Sequence, residues 1–306
     1  MIKLNADSNE KKRFIMSYVN LSNQSSSGCQ NMIGFLGIPY DSGAGNIKGA
    51  SFAPDSLRSI FHKLPLITRD GIDVSGIIIN DLGNIKVYPD SWEKTSVEIR
   101  RNITEIIRNY SFPLLTIGGD HSITYATVSA FSQNDNMGLI WFDAHPDSLD
   151  EYINSKYSHG SPLRRIVEDK LIKPENILIV GTRYYDGDEF YFIRGNDINE
   201  ISMHHINTTN YKELFVQKIN EISARTSSFY VSIDIDVLDP AFAPGTGSLV
   251  PIGMAPFTLI EFLELLPKDI YGFDIVEYCP GIDVNMMTGK LILFIISEIM
   301  KRLIKN

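Results

Sequence analysis

The chain has 306 residues, of which 43% are hydrophobic and 21% charged, a composition that excludes a disordered, collagenous or coiled-coil polypeptide. Its two cysteines, Cys29 and Cys279, can form neither a disulfide scaffold nor a thiolate zinc cluster, so we expect a cytoplasmic location. The 28 basic and 37 acidic residues give a formal net charge of −9, which disfavours nucleic acid and anionic membranes as partners.

Residues 1–31 are predicted to form an N-terminal arm and residues 32–306 a single domain. Short apolar, β-branched runs followed by turn residues predict eight strands, at 33–38, 76–79, 114–117, 138–142, 177–181, 201–206, 229–235 and 272–276. Longer amphipathic stretches predict helices at 91–110, 122–131, 162–170, 211–224, 258–266 and 286–304. None of these runs approaches the ~20 apolar residues that a membrane span requires.

The alternation of strands and helices indicates an α/β fold around a buried parallel sheet. Eight such units would also suit a closed barrel, and periodicity alone does not separate a barrel from an open sheet. In either case the reactive side chains are expected where the carboxyl ends of the strands meet the loops. The sequence contains neither a phosphate-binding loop nor a GxGxxG motif, which disfavours a nucleotide-binding protein.

Acidic and histidine residues follow three of the predicted strands. The strand that ends at Phe142 leads into Asp143, His145 and Asp147, which extended backbone would place on one face. A second strand carries Asp234 and Asp236 in the same alternation, and two carboxylates so close repel each other unless a cation lies between them.

The third of these strands ends in Gly118-Gly119-Asp120-His121. A histidine or aspartate after one strand is often structural, as a helix cap or a satisfied hydrogen-bonding group. Three such strand ends in one α/β chain instead predict an oxygen-rich site for two divalent ions. Its predicted ligands are His121, Asp143, His145, Asp147, Asp234 and Asp236.

The blocks GGDHS, DAHPD and SIDIDVLDP resemble the three metal-binding signatures of the ureohydrolase family, which includes arginase and agmatinase. The similarity extends from Gly37–Asp41 through Ala243–Gly247 to Asp274–Glu277. It implies a three-layer α/β/α sandwich with a mostly parallel eight-stranded sheet, with residues 32–306 as the catalytic domain. It also implies two Mn²⁺ per subunit, a metal-bridging hydroxide as the nucleophile, and a homotrimer or homohexamer.

The resemblance also implies roles for single residues. The six predicted ligands fall on the family's metal-binding positions, and Asp147 falls where the family hydrogen-bonds the hydroxide and later transfers a proton to the leaving amine. Glu277 falls where the family binds the substrate guanidinium. His159 falls on the family's loop histidine, which shuttles a proton or contacts the substrate.

The loop after Asp147 lacks the Ser-Gly-Asn stretch with which arginases bind the α-carboxylate of arginine. Residues 157–165 are similar to the agmatinase version, and Asp150 and Glu151 would repel a substrate carboxylate if they face the pocket. Ser248 keeps a substrate-binding hydroxyl, although Val250 replaces the glutamate usual in agmatinases. The expected reaction is the cleavage of agmatine, a small cationic guanidino compound, to putrescine and urea. Arginase, guanidinobutyrase and a catalytically silent metal-binding relative remain alternatives.

Overall fold

A parallel sheet forms the centre of the computed structural model, which describes residues 17–18, 31–45, 47–132 and 136–304. The strand order is β1-β3-β2-β4-β9-β8-β5-β6-β7, and every neighbouring pair is parallel. Within the described ranges the strands are β1 Ser17–Tyr18, β2 Met32–Gly37, β3 Ile78–Asn84, β4 Leu114–Ile117, β5 Met137–Phe142, β6 Ile177–Val180, β7 Asn199–Ile201, β8 Ser228–Asp234 and β9 Ile270–Val276.

Helices cover both faces of this sheet. They are α1 Ala53–Ile60, α2 Trp92–Asn109, α3 Ile123–Phe131, α4 Pro162–Glu168, α5 Gly187–Gly195, α6 Met203–Thr208, α7 Tyr211–Ser223, α8 Pro256–Leu265 and α9 Met287–Lys301. The result is the expected three-layer α/β/α sandwich. The sheet is open, with β1 and β7 at its edges, so the barrel alternative is wrong.

Alternate side chains of each strand enter two separate apolar cores. In β5, Ile140 and Phe142 pack into the core that contains α7, α8 and α9, while Leu139 and Trp141 pack into the core that contains α2 and α3. Because both faces are covered, the central strands are apolar at consecutive positions. This explains why short continuous apolar runs located the strands in the sequence.

The predicted strand 201–206 is wrong. The strand β7 ends at Ile201, and α6 begins at Met203. Ser202 starts this helix with a capping box, in which its hydroxyl accepts from the backbone N–H of His205 and the His205 ring accepts from the backbone N–H of Ser202. The helices α1, α5 and α6 are not among the predicted ones.

Most of the predicted N-terminal arm lies outside the described residues. Ser17–Tyr18, which are described, pair in parallel with Asn80 and Asp81 and form a short strand at one edge of the described sheet. The boundary at residue 31 stays a prediction. Within the described residues, no helix combines the length and the apolar character that a membrane crossing requires.

Replacing Ser202 with Ala tests the cap that ends β7 and begins α6. The substitution removes one of two reciprocal bonds, so we expect the free energy of unfolding to fall by about 1 kcal/mol. Urea unfolding followed by circular dichroism measures this difference. Asn207→Ala, at an exposed position of the same helix, is the matched control, and an equal loss in both variants would contradict the capping role.

Candidate metal centre and substrate site

Four neighbouring strands, β4, β9, β8 and β5, bring their carboxyl ends to one place on the sheet. His121 follows β4, Glu277 follows β9, Asp234 ends β8, and Asp143 follows β5. All four side chains are buried. Parallel strands therefore assemble acidic and imidazole groups that are far apart in the sequence.

The first group of candidate ligands surrounds Nδ1 of His121. This atom lies 2.9 Å from Asp147 Oδ2, 3.1 Å from Asp234 Oδ2 and 3.2 Å from Asp143 Oδ2. It is buried and makes no hydrogen bond within the described residues. A bare imidazole nitrogen facing three carboxylates is a donor set that fits a divalent cation.

The second group shares Asp143 with the first. Nδ1 of His145 lies 3.2 Å from Asp236 Oδ2 and 3.5 Å from Asp143 Oδ1, and the indole N–H of Trp141 donates to Asp143 Oδ2 at 2.9 Å. Within each group the potential ligand atoms lie within 4.8 Å of one another. The structure thus brings together all six predicted ligands, and their fit to two ions supports the expected paired site.

The geometry differs from the strand alternation that the sequence suggested. Because β5 ends at Phe142, the residues 143–147 are not extended, and Asp147 has a left-handed backbone with φ 51°. Asp147 therefore joins the first group while His145 joins the second. Asp236 likewise lies beyond the end of β8 and separates from Asp234. Left-handed backbone at a non-glycine residue is strained and concentrates at functional sites.

A buried hydrogen-bond chain determines which nitrogen of His121 is bare. Ser232 Oγ donates to Asp274 Oδ1 at 2.5 Å and lies 2.8 Å from Nε2 of His121. Since the only hydroxyl proton is used on Asp274, Nε2 must carry the ring proton and donate it to Ser232. Thr124 and Tyr230 also donate to Asp274, at 2.8 and 2.9 Å. This chain leaves Nδ1 free to bind a metal.

Burial and the negative charge of neighbouring carboxylates make it harder for several carboxyl groups of the two sites to ionise. Burial, followed by the charge of Asp143, raises the pKa of Asp147 to about 7. Burial and the charge of Asp236 raise the pKa of Asp234 well above its ordinary value, and burial raises that of Asp236. Cations between these groups would remove the penalty, because they favour the ionised form of each.

Glu277, the carboxylate predicted to bind the substrate, is hydrogen-bonded to the backbone of the candidate metal ligand His121. Glu277, with a left-handed φ of 63°, accepts the backbone N–H of His121 on Oε1 at 2.9 Å. The same oxygen lies 3.0 Å from Nδ1 of His159, and the backbone N–H of Gly45 donates to Nε2 of His159 at 3.1 Å. Burial lowers the pKa of His159, but the charge and hydrogen bond of Glu277 outweigh it and raise this pKa to about 9.

The two other predicted substrate contacts lie apart from this pair. The carboxylate of Asp150 accepts from Arg165 at 3.0 Å, and this contact lowers its pKa. Its charge is therefore already compensated, which weakens the argument that it repels a substrate carboxylate. Ser248 is half-buried next to Gly247, which packs against Ile47. The substrate roles of Asp150 and Ser248 stay predictions.

Sequence reasoning missed residues that hold the site in place. Arg183 donates to the backbone carbonyls of Asp236 at 2.7 Å and Val250 at 2.8 Å, and no motif pointed to it. Asp274 carried a usable signal, because a single acid inside a strand buried on both faces needs partners. Its role becomes apparent only when β8 and β9 are paired.

An open parallel sheet with a buried, acid-rich cluster at its carboxyl edge defines an α/β protein with a two-metal type of site. The Arginase family model matches residues 31–301. The chain therefore belongs to the arginase family, the ureohydrolases, which are hydrolases acting on guanidino C–N bonds.

The relatives of the chain differ in substrate. It is 34% identical to an uncharacterized 32.2 kDa protein of Methanothermus fervidus over 81% of this chain and 84% of that protein. It is 32% identical to an arginase of Staphylococcus aureus over 84% of this chain and 93% of that protein. The crystal structure of an agmatine ureohydrolase of Thermoplasma volcanium matches with a TM-score of 0.78 and 27% identity, over 90% of each chain.

The raised carboxyl pKa values predict how the stability of the metal-free protein depends on pH. Free aspartate ionises near pH ~4. Between that pH and about 7, the unfolded chain loses a proton that the folded chain keeps on Asp147, so rising pH favours unfolding by up to about 1.4 kcal/mol per pH unit for this group. We expect the Tm of EDTA-treated protein to fall between pH 5 and pH 7.5 in calorimetry.

Asp147→Asn is the matched variant for this measurement, because it removes the titrating carboxyl but keeps its size. Its Tm should depend less on pH than that of the wild type. Loading with Mn²⁺ should also reduce the dependence, since a bound cation favours the ionised form in the fold. A wild-type Tm that rises over this range would contradict the argument.

Replacing Ser232 with Ala tests the chain that orients His121. The proton on Nε2 loses its acceptor, so we expect the ion at the His121 group to bind roughly 10- to 100-fold more weakly while the ion at the His145 group binds as before. Titration calorimetry of the metal-free protein with Mn²⁺ distinguishes the two. Thr124→Val, which removes a different donor to Asp274, is the control, and equal weakening of both ions would refute the assignment.

Proposed function

We propose that the chain hydrolyses agmatine to putrescine and urea with two bound Mn²⁺ ions. The observation that carries this proposal is the contact between Glu277 and the backbone of His121. It places a buried carboxylate, suited to a guanidinium, directly beside the candidate metal ligands. As the family resemblance implies, we also propose a homotrimer or homohexamer. The two cysteines favour a cytoplasmic location.

The six ligands described above would hold the two ions. Two bound divalent cations lower the pKa of a water molecule, so that a strong nucleophile is available at neutral pH. Such a nucleophile is necessary because the guanidinium carbon is stabilised by resonance. Manganese suits the oxygen-rich set with two imidazoles, which contains no thiolate.

Three residues of the chain would handle the substrate and its protons. The carboxylate of Glu277 matches the planar fork of a guanidinium and would orient its carbon towards the metal groups. Asp147 would accept a proton on the carboxylate oxygen that does not face His121 and pass it on. His159, hydrogen-bonded to Glu277, would deliver a proton to the leaving amine as the C–N bond breaks.

The surroundings of the site support an amine tail over a carboxylate tail. The helix α5 begins with Asp186, Asp188 and Glu189, and Glu189 accepts the backbone N–H of Ser148, the residue after Asp147. Asp188 is paired with Arg164 at 2.7 Å, so its charge is already compensated. In the described part of the chain, Glu189 bonds only to backbone N–H groups beside the metal centre, where its carboxyl group favours an ammonium over a carboxylate. Agmatine is arginine without its carboxylate, so this arrangement favours agmatine.

A urea assay across three guanidino compounds tests both the reaction and the substrate. With Mn²⁺-loaded protein we expect kcat/KM for agmatine to exceed the values for arginine and 4-guanidinobutyrate, because only agmatine pairs a guanidinium with a lone ammonium. A higher value for either of the other two would reject agmatine. Release of no urea from any of them would favour the catalytically silent alternative.

Glu277→Gln is the informative variant in this assay. It keeps the size of the side chain but removes the charge, and a charge-assisted hydrogen bond contributes about 1.5–3 kcal/mol. We therefore expect kcat/KM to fall roughly 10- to 100-fold. Glu221→Gln, which neutralises a surface carboxylate on α7, should leave it unchanged.

A further inference from the structure

The guanidinium of Arg183, which follows β6, bonds to two separate segments of the chain. Nη2 donates to the carbonyl of Asp236 at 2.7 Å and to that of Val250 at 2.8 Å, and Nη1 donates to the carbonyl of Val237 at 3.0 Å. We call residues 235–238 the Asp236 turn and residues 248–253 the Val250 loop. Because Nη2 carries two hydrogens, one nitrogen atom joins the turn to the loop.

The main chain of Arg183 holds the other segment that carries ligands of the second metal group. Its backbone N–H donates to the carbonyl of Ala144 at 2.9 Å. Ala144 lies between Asp143 and His145, and its own N–H donates to Oδ1 of Asp236 at 3.2 Å. The three candidate ligands of the second group therefore lie on two turns that are both bonded to Arg183.

The Asp236 turn needs a donor from outside itself. It contains a single 3₁₀ turn, Ile235–Val237, and the last carbonyls of a helix have no partner within that helix. Asp236 and Val237 are buried, and a buried carbonyl without a donor is costly. The carbonyl of Val237 also accepts the backbone N–H of Met254, whereas Arg183 supplies the donor to the carbonyl of Asp236. The conformation that presents Asp236 thus depends on Arg183.

The charge of Arg183 would have the opposite effect on a metal ion. Burial lowers the pKa of Arg183, whereas the charges of Asp236 and Asp143 favour its ionised form. A fixed cation beside the second group repels a metal ion, so removing the charge alone would strengthen metal binding. Removing the contacts that hold the two turns would weaken it, because the ligands would no longer be oriented. The sign of the change therefore distinguishes the two roles.

A second contact ties the Val250 loop to the same place. Oδ2 of Asp239, just beyond the Asp236 turn, accepts the backbone N–H of Gly253 at 2.7 Å. A Cβ at position 253 would overlap the backbone of Asp239 and Nη2 of Arg183. Glycine at this position therefore lets the loop lie against the guanidinium. The loop begins at Ser248, so Arg183 connects the second metal group to a segment that is predicted to contact the substrate.

We propose that Arg183 is a positioning residue that sets the affinity of the second ion and couples its binding to the position of the Val250 loop. Such coupling is reciprocal, so an ion that fixes the Asp236 turn also orders the loop, and a displaced loop weakens the binding of the ion. This role rests on the two-ion part of the proposed function and does not depend on the identity of the substrate.

Titration calorimetry of the metal-free protein with Mn²⁺ tests the effect on affinity. We expect Arg183→Gln to bind the ion of the His145 group roughly 10- to 100-fold more weakly, with a smaller change at the His121 group. The affected step is assigned by its loss in His145→Ala. Arg183→Lys keeps the charge but not the planar fork, so it should not restore the affinity. Stronger or unchanged binding in Arg183→Gln, or a wild type that binds one ion, would overturn the proposal.

Arg302→Gln is the matched control for this titration. The guanidinium of Arg302 is also half-buried, and it donates to three main-chain carbonyls, those of Leu263, Leu266 and Pro267. Its loss removes similar contacts from a part of the fold that holds none of the candidate ligands. We expect a lower Tm but unchanged binding of both ions. Equal weakening in both arginine variants would attribute the effect to lost stability and would reject a positioning role.

Gly253→Ala tests the coupling while Arg183 stays intact. The added methyl group would push the Val250 loop away from the guanidinium, so we expect the second ion to bind roughly 10-fold more weakly although no ligand is altered. Gly195→Ala is the control, because a Cβ there meets no atom within 4 Å. Unchanged binding in Gly253→Ala would refute the coupling. If Arg183→Gln does not fold, Gly253→Ala and Arg183→Lys still decide the outcome.

Hydrogen exchange of the full chain provides a readout that is independent of affinity and of turnover. At saturating Mn²⁺ we expect the amides of the Val250 loop to become better protected in the wild type but not in Arg183→Gln. Equal protection of the wild-type loop with and without Mn²⁺ would contradict the coupling. If the wild type releases no urea while these patterns hold, the proposed reaction fails and the positioning role of Arg183 stands.

Discussion

The burial of four carboxylates in one place is the constraint on which the rest of the structure depends. Asp143, Asp147, Asp234 and Asp236 are all buried and are arranged in two groups that share Asp143. Taking several like charges out of water costs far more free energy than one domain has to spare, unless cations or protons compensate them. The fold is therefore suited to hold paired cations, and the strained backbone at Asp147 is part of what positions their ligands.

Much of this metal site could be predicted from the sequence, because each ligand lies at or after the end of a strand that is apolar on both faces. The sequence indicated which residues are ligands, but not which of them lie together in each of the two groups. Asp147 faces His121 rather than His145 because the chain leaves the extended form after Phe142, and a turn changes the direction of a side chain that strand alternation would otherwise set. The false strand at 201–206 has a similar origin, since the apolar run continued into a capped helix.

Contacts between distant segments explain what the sequence could not reveal. The proton on Nε2 of His121 depends on Ser232 and Asp274, which come from two different strands, and only the pairing of β8 with β9 makes them neighbours. The hydrogen bond from the backbone N–H of Gly45 to Nε2 of His159 joins residues 114 positions apart. Backbone donors of this kind leave no trace in residue type.

The departure of the loop around Val250 from the agmatinase pattern need not disturb the metal centre, and Arg183 shows why. Its guanidinium, half-buried, donates to the carbonyl of Val250 and also to the carbonyls of Asp236 and Val237, at 2.8, 2.7 and 3.0 Å. Because all of these acceptors are main-chain atoms, the side chain at position 250 can change while the loop stays attached to the metal-binding turn. One arginine thus attaches this loop to the metal-binding turn through main-chain contacts, without constraining which side chain stands at position 250.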